Sequence, residues 1–125
     1  RNEFNAKKSV MLSAKNSLEL IQNVEIENLY LKLIQQLNKD FQLSNLNFSF
    51  EEKISPIELK EKFSAILLNL ISNSYDDYLN FLYRVDVSEK ELLKIKETDL
   101  ISIVNQITFL VLKREYQKVW LKRNY

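Results

Sequence analysis

Apolar residues recur at three- and four-residue steps along most of the chain, which is the period of an amphipathic helix. The first stripe spans residues 9–22 and the second spans residues 24–42, with Asn23 as a capping residue between them. The pattern therefore predicts two helices joined by a short break. Residues 1–8 are mostly polar and are expected to be a frayed start.

Residues 43–54 break this helical period. Leu46, Phe48 and Phe50 alternate with polar residues, as in a half-buried strand. One short strand without a partner is unstable in water. We therefore expect an extended connection whose apolar side chains lie on the core. A short strand at residues 46–50, or an edge that pairs with another chain, remains the alternative.

Three serines are each followed three residues later by an acidic residue, as in a capping box. The pairs are Ser55 with Glu58, Ser74 with Asp77, and Ser88 with Glu91. Pro56 adds a residue that suits the first helical position. The boxes predict a helix from Ser55 to about residue 72 and two short helices that start after Ser74 and Ser88.

A last helix is predicted from Thr98 and Asp99 to about Lys122. Its middle is apolar nearly all round, so residues 103–112 are expected to run through the centre of the fold or across a subunit interface. Three polar residues interrupt this stretch: Asn105, Gln106 and Thr108. They are either buried with hydrogen-bond partners or form an exposed edge of the helix.

The composition excludes several kinds of chemistry. The 125 residues suit one domain with a real core, and they include no glycine, histidine or cysteine. A chain without glycine can still join helices through Asn, Asp and Ser turns, although an AT-rich genome would also suppress glycine. The absence of cysteine and histidine excludes disulfides, thiolate metal sites and the usual catalytic triads. No apolar run is long enough for a membrane span.

The net charge is +1, but the C-terminal stretch is basic with interleaved aromatic residues. The candidate contact residues for a partner or nucleic acid are Lys113, Arg114, Lys118, Trp120, Lys122 and Arg123. Cations on phosphates with a stacked ring would suit nucleic acid. The simpler interpretation is that the cations stabilise the negative end of the last helix while the aromatic residues continue its apolar stripe.

Two further groups of residues are candidates for function. Asp76, Asp77 and Asp86 would suit Mg²⁺ or acid–base chemistry only if they converge, and acids are expected in a first helical turn anyway. Three tyrosines and an arginine could line a binding groove, or the tyrosines could be half-buried with their hydroxyls in water. These residues are Tyr75, Tyr78, Tyr83 and Arg84.

Residues 82–90, followed by a last helix containing residues 114–119, resemble small uncharacterised helical proteins from bacteria. The resemblance covers about the C-terminal third of the chain. It implies a helical fold and carries over neither an activity nor any catalytic residues.

The sequence as a whole predicts an all-α protein: residues 1–125 form one domain, a bundle of about five or six helices with an extended connection near residues 43–54. Helices 24–42 and 99–122 are expected to form its frame. The predicted function is that of a non-enzymatic, cytoplasmic module for protein–protein interaction or self-association, without a cofactor or metal. Nucleic-acid binding through the basic last helix is the alternative. Phe48, Phe50 and Trp120 are expected to be exposed aromatic residues.

Overall fold

The structure of the protein is a computed structural model that describes residues 14–125. It contains six helices in this order: α1 Ser17–Ile26, α2 Tyr30–Leu43, α3 Pro56–Asn73, α4 Tyr75–Val85, α5 Glu89–Leu93 and α6 Leu100–Asn124. Residues 14–125 contain no strand, which confirms the prediction of an all-α domain. Of the predicted first helix, residues 9–13 lie outside the described residues, as does the predicted frayed start.

Three of the helices end at a residue other than glycine whose backbone is left-handed. Asn28, Asn45 and Asp86 have φ values of 59°, 59° and 71°. After α1, the Leu29 amide donates to the Val24 carbonyl at 3.1 Å and the Asn28 amide to the Glu25 carbonyl at 3.0 Å, which is a Schellman motif. Asn and Asp tolerate this conformation better than other non-glycine residues. The chain thus makes its turns with polar residues, as expected from its composition.

The turn at Asn28 shows that the predicted boundary between the first two helices is wrong. The sequence placed the break between the first two helices at Asn23, whereas α1 continues to Ile26 and α2 begins at Tyr30. Asn23 lies inside α1, where its carbonyl accepts the Glu27 amide at 3.1 Å. The left-handed backbone of Asn28, which the apolar period does not reveal, ends the helix.

The N-terminal caps differ in part from the three predicted boxes. Ser55 forms one, since its Oγ accepts the Glu58 amide at 3.3 Å. Helices α4 and α5 do start after Ser74 and Ser88, but neither serine makes a side-chain cap hydrogen bond. The Ser74 amide also closes the last turn of α3 by donating to the Leu70 carbonyl at 2.8 Å. Its backbone therefore serves two helices, and its φ of −147° and ψ of 59° depart from the extended backbone of Ser55.

A cluster of phenylalanine rings holds α2, α3, α4 and the connection after α2 together. The ring of Phe41 on α2 stacks on Phe81 at 4.8 Å and meets Phe63 edge-on at 5.8 Å. It also meets Phe48 and Phe50 of the connection at 5.8 and 5.7 Å. Such offset and edge-to-face pairs add to the free energy of burial. The connection is therefore part of the core.

Side-chain amides and hydroxyls satisfy the backbone of that connection in place of a partner strand. Asn38 of α2 donates to the Phe50 carbonyl at 2.9 Å and accepts the Phe50 amide at 2.8 Å. The Tyr30 hydroxyl donates to the Ile54 carbonyl at 2.6 Å. The extended connection is confirmed, and the strand alternative at residues 46–50 is wrong. Phe50 is buried and Phe48 is half-buried, so the expectation that both are exposed is also wrong.

Helix α6 is the central element, because it packs against each of the other five helices. One face of residues 103–112 is buried, while Asn105 and Gln106 form an exposed edge. Thr108 is buried, donates to the Val104 carbonyl at 2.8 Å and accepts the Ser64 hydroxyl at 3.2 Å. The prediction of a helix buried all round therefore holds for one face only. The predicted pair of long frame helices is also only partly right. Helix α6 is the longest of the six, but the second longest is α3 and not α2.

None of the helices in the described part of the chain combines the length and apolar character needed to cross a bilayer.

Replacing Phe41 with alanine should remove the centre of the ring cluster. We expect Phe41→Ala to lower the free energy of unfolding by about 3–5 kcal/mol, the usual effect of deleting a buried aromatic ring. Leu43→Ala is the matched control on the same helix, because Leu43 is 47% exposed. Its effect should be about 1 kcal/mol or less. Urea denaturation followed by circular dichroism measures both, and equal losses would contradict the assignment of Phe41 to the core.

Candidate functional site

The basic residues singled out in the sequence lie on α6, but they do not form one surface. Successive helical residues point about 100° apart, so Lys113 and Lys122 face directions about 180° apart. Lys113 lies 6.0 Å from the centre of the Phe109 ring. Trp120 is buried, so the expectation that it is exposed is wrong. Its ring meets Tyr125 edge-on at 6.1 Å.

The other four cations contact groups of this chain. Arg114 forms an ion pair with Asp86 at 3.1 Å and donates to the Gln117 amide oxygen at 2.6 Å. Lys122 donates to the Gln36 amide oxygen at 2.7 Å. Arg123 donates to the Glu27 carbonyl at 3.0 Å. Lys118 belongs to a buried cluster described below. The predicted contact of these residues with a partner stays a prediction.

The acidic candidates do not converge. Asp76 and Asp77 lie in the first turn of α4, and Asp86 follows its last residue. Asp77 and Asp86 are nine residues apart, which is about 14 Å along a helix. Among the residues that the structure describes, no three acidic, histidine or cysteine side chains are placed to hold a metal ion. The hypothesis of a metal or acid–base site at these aspartates is therefore wrong.

The residues of the predicted tyrosine groove divide between two faces of α4. Tyr78 is buried, whereas Tyr75, Tyr83 and Arg84 are exposed. Leu79, which the sequence assigned to the same helix, is also exposed. Tyr75, Leu79 and Tyr83 are spaced by four residues and form one row along the helix. We call this row, with Arg84, the α4 outer face.

A buried cluster of three ionisable side chains joins α2 to α6. The Lys118 ammonium donates to the Asp40 carboxylate at 2.6 Å and to the Val85 carbonyl at 3.3 Å. Its Nζ atom also lies 2.6 Å from Oε1 of Glu115. Glu115 is completely buried and Asp40 nearly so. We call Asp40, Glu115 and Lys118 the carboxyl–lysine cluster.

Two carboxyl groups in this cluster share one ammonium, so ionising both at the same time is energetically costly. Burial, followed by the hydrogen bond and the charge of Asp40, raises the pKa of Glu115 from 4.5 to about 9. Burial alone would raise the pKa of Asp40. The hydrogen bonds from Glu115 and Lys118, with the lysine charge, outweigh burial and hold that pKa below its ordinary value of 3.8. At neutral pH Glu115 is therefore protonated and Asp40 is ionised in this cluster.

A chain of hydrogen bonds leads from the cluster to the surface. The Gln36 amide donates to the Asp40 carboxylate at 3.3 Å and accepts a hydrogen bond from Lys122. Lys122 and Gln36 line a groove of about 460 Å³ between α2 and the end of α6. The buried charges thus fix the position of a cation at the protein surface.

Asp40, Glu115 and Gln36 were not predicted as site residues from the sequence. A signal was present, because Glu115 occupies a position in the stripe of buried residues on α6, between Leu112 and Val119. Asp40 likewise falls beside Leu37 and Phe41 on the buried face of α2. Charged residues are almost never fully buried unless they are paired. A carboxylate on an apolar stripe therefore indicates a partner, although the sequence does not say which residue it is.

Comparison with known proteins relates the chain to a bacterial protein. No protein-family model matches the chain, and no solved structure matches it. The chain is similar to Protein GrpE 2 of Buchnera aphidicola subsp. Acyrthosiphon pisum (strain APS), with 34% identity over 108 residues. The match covers 78% of this chain but only 57% of that protein, so the chain spans little more than half of the relative's length. The comparison gives no support to nucleic-acid binding.

The raised pKa of Glu115 predicts how stability depends on pH. Between pH 4.5 and about 9 the unfolded chain loses the Glu115 proton while the folded chain keeps it. The contribution of this proton to the free energy of unfolding is fully present below pH 4.5. It is lost as the pH rises toward 9, by at most about 1.4 kcal/mol per pH unit. Glu115→Gln keeps a donor toward Asp40 but has no proton to lose, so its stability relative to the parent should rise over this range.

Urea denaturation of both proteins at several pH values measures that difference. Glu61→Gln, at an exposed position on α3, is the control and should keep the pH dependence of the parent. Identical pH slopes for the parent and Glu115→Gln would contradict a protonated Glu115 in the folded state.

Proposed function

We propose that the chain is a non-enzymatic module for protein–protein interaction, and that the α4 outer face is its contact surface. The observation that carries this proposal is a row of large side chains left in solvent on one helix. Tyr75, Leu79 and Tyr83 are 56%, 44% and 86% exposed. Tyrosine and arginine are enriched among the residues that dominate binding energies at interfaces.

The arrangement of the row suits an interface. Asp76, Asn80 and Arg84 form a second, polar row beside it, also with a spacing of four residues. An apolar row with a polar border is the usual division of an interface into core and rim. The opposite side of α4 is held in place by Phe81, Leu82 and Val85, which are buried. The outer face is therefore presented on a rigid element.

The chemistry of the chain supports a function without catalysis. The sequence has no histidine or cysteine, and the carboxylates that the sequence suggested for a metal lie far apart. The buried carboxyl–lysine cluster lies between packed helices, where a substrate does not reach it.

Site-specific photocrosslinking tests the α4 outer face in the native cell. A benzophenone amino acid at position 83 should give a crosslink to a protein, because that side chain would lie in the interface. The same amino acid at position 26 is the matched control, since Ile26 is 76% exposed at the end of α1. Leu79→Glu, with circular dichroism as the check of folding, should abolish the crosslink at position 83. Equal crosslinking at both positions, or none at position 83, would exclude this face.

The mass of the crosslinked product identifies the kind of partner. A product of twice the chain mass indicates self-association, and any other mass indicates a different protein. A product that contains nucleic acid in place of protein would favour the alternative function.

The similarity to Protein GrpE 2 favours a narrower proposal, that the two proteins share a binding partner. Proteins captured on immobilised Protein GrpE 2 from a bacterial lysate should be displaced by an excess of this chain. The Leu79→Glu variant should displace less if the α4 outer face makes the contact. Failure of the parent chain to displace any captured protein would count against a shared partner and would leave the crosslinking result unaffected.

A further inference from the structure

A second surface of the protein is a groove whose charge is all of one sign. It lies between α2 and the last turns of α6 and has a volume of about 460 Å³. Leu29 and Val119 form its floor, and four cations line its walls: Lys32, Lys39, Lys122 and Arg123. None of its lining residues within the described range is acidic. We call it the cationic groove.

The acidic residues near the groove are already engaged. The Glu52 carboxylate accepts a hydrogen bond from Gln35 at 3.2 Å at the outer margin. Behind the groove, Asp40 is compensated by Lys118 at 2.6 Å. The backbone carbonyl of Glu27 accepts a hydrogen bond from Arg123. No acidic residue among the described residues of the lining therefore balances the positive charge of the groove.

The cations are placed along two walls. Lys32 and Lys39 are seven residues apart on α2, which is two helical turns or about 10 Å. On the opposite wall, hydrogen bonds to Gln36 and to the Glu27 carbonyl hold Lys122 and Arg123. Side chains that are already ordered lose less conformational entropy when they bind a ligand.

We propose that the cationic groove binds an acidic peptide segment of a partner protein. Carboxylates of such a segment would pair with the cations on both walls, while an apolar side chain between them would lie over Leu29 and Val119. The amide oxygen of Gln35, which is exposed in the lining, can accept a hydrogen bond from a peptide backbone amide. Single-stranded nucleic acid usually needs aromatic side chains for base stacking, and the lining of this groove has none.

This inference does not rest on the α4 outer face. The two surfaces consist of different residues, so variants of one leave the other intact. The crosslinking result and the peptide result can therefore fail separately.

Peptide binding to the full chain tests the cationic groove. The probe is a fluorescently labelled twelve-residue peptide of alternating glutamate and leucine, followed by anisotropy. The matched control peptide has glutamine at each glutamate position. The acidic peptide should bind, its affinity should fall as salt is raised, and the glutamine peptide should bind at least about tenfold more weakly.

Charge-reversal variants place the binding in the groove. Lys32→Glu combined with Lys39→Glu should weaken binding of the acidic peptide about tenfold or more. Lys90→Glu with Lys96→Glu makes the same change in net charge at exposed positions outside the groove and should weaken it much less. Circular dichroism melting checks that each variant is folded. Equal losses in the two double variants, or no binding of the acidic peptide, would overturn the proposal.

An oligonucleotide separates the two kinds of anionic partner. A labelled twelve-nucleotide single strand is titrated under the same conditions, and we expect weaker binding than that of the acidic peptide. Tighter binding of the oligonucleotide, lost in Lys32→Glu with Lys39→Glu, would overturn the peptide assignment in favour of nucleic acid.

Discussion

The Lys118 ammonium holds α6 in register with two other helices. It contacts the Asp40 carboxylate on α2 and the Val85 carbonyl at the end of α4, and it lies beside Glu115 on its own helix. Removing charges from water is costly, and a buried ion pair often adds little net stability compared with apolar residues of the same size. Its contribution here is alignment, because a shift of α6 along α2 would leave two buried charges without partners.

The groove at the surface depends on this alignment. Lys122 follows Lys118 by one helical turn, and Gln36 precedes Asp40 by one turn on the facing helix. The register that pairs Lys118 with Asp40 therefore also pairs Lys122 with Gln36. On the other side of the cluster, Arg114 binds Asp86 at the end of α4. The buried charges thus lie between the Lys122–Gln36 hydrogen bond on one side and the Arg114–Asp86 ion pair on the other.

Local signals in the sequence were enough for the class of fold and for most helices. Ser55 with Pro56, Asp99, and the apolar periods placed the starts of α3 and α6 close to where they lie. The break between α1 and α2 was misplaced because Asn23 and Asn28 are both plausible ends, and only the backbone of Asn28 is left-handed. For Phe50 and Trp120 the sequence allowed both a buried and an exposed position, and contacts in the folded chain decide for burial.

The candidate site was harder to predict for the same reason. Lys118 looked like one cation among five on a basic helix, and its partner Asp40 is 78 residues away along the chain. The sequence did contain a carboxylate within the apolar stripe of α2 and another within that of α6. Such positions indicate a buried charged pair better than a run of exposed cations does. The exposure of Tyr83 and Leu79 was likewise not decided by helical period alone, since both border the buried face of α4.

The protonation state of Glu115 is the most direct measure of the carboxyl–lysine cluster. The side-chain carboxyl of Glu115 can be followed by carbon-13 NMR as the pH is changed, with Glu115→Gln used to assign its signal. We expect this carboxyl to be protonated at neutral pH and to titrate near pH 9. A titration near 4.5, the ordinary value for glutamate, would show an ionised Glu115 and contradict the arrangement of the carboxyl–lysine cluster.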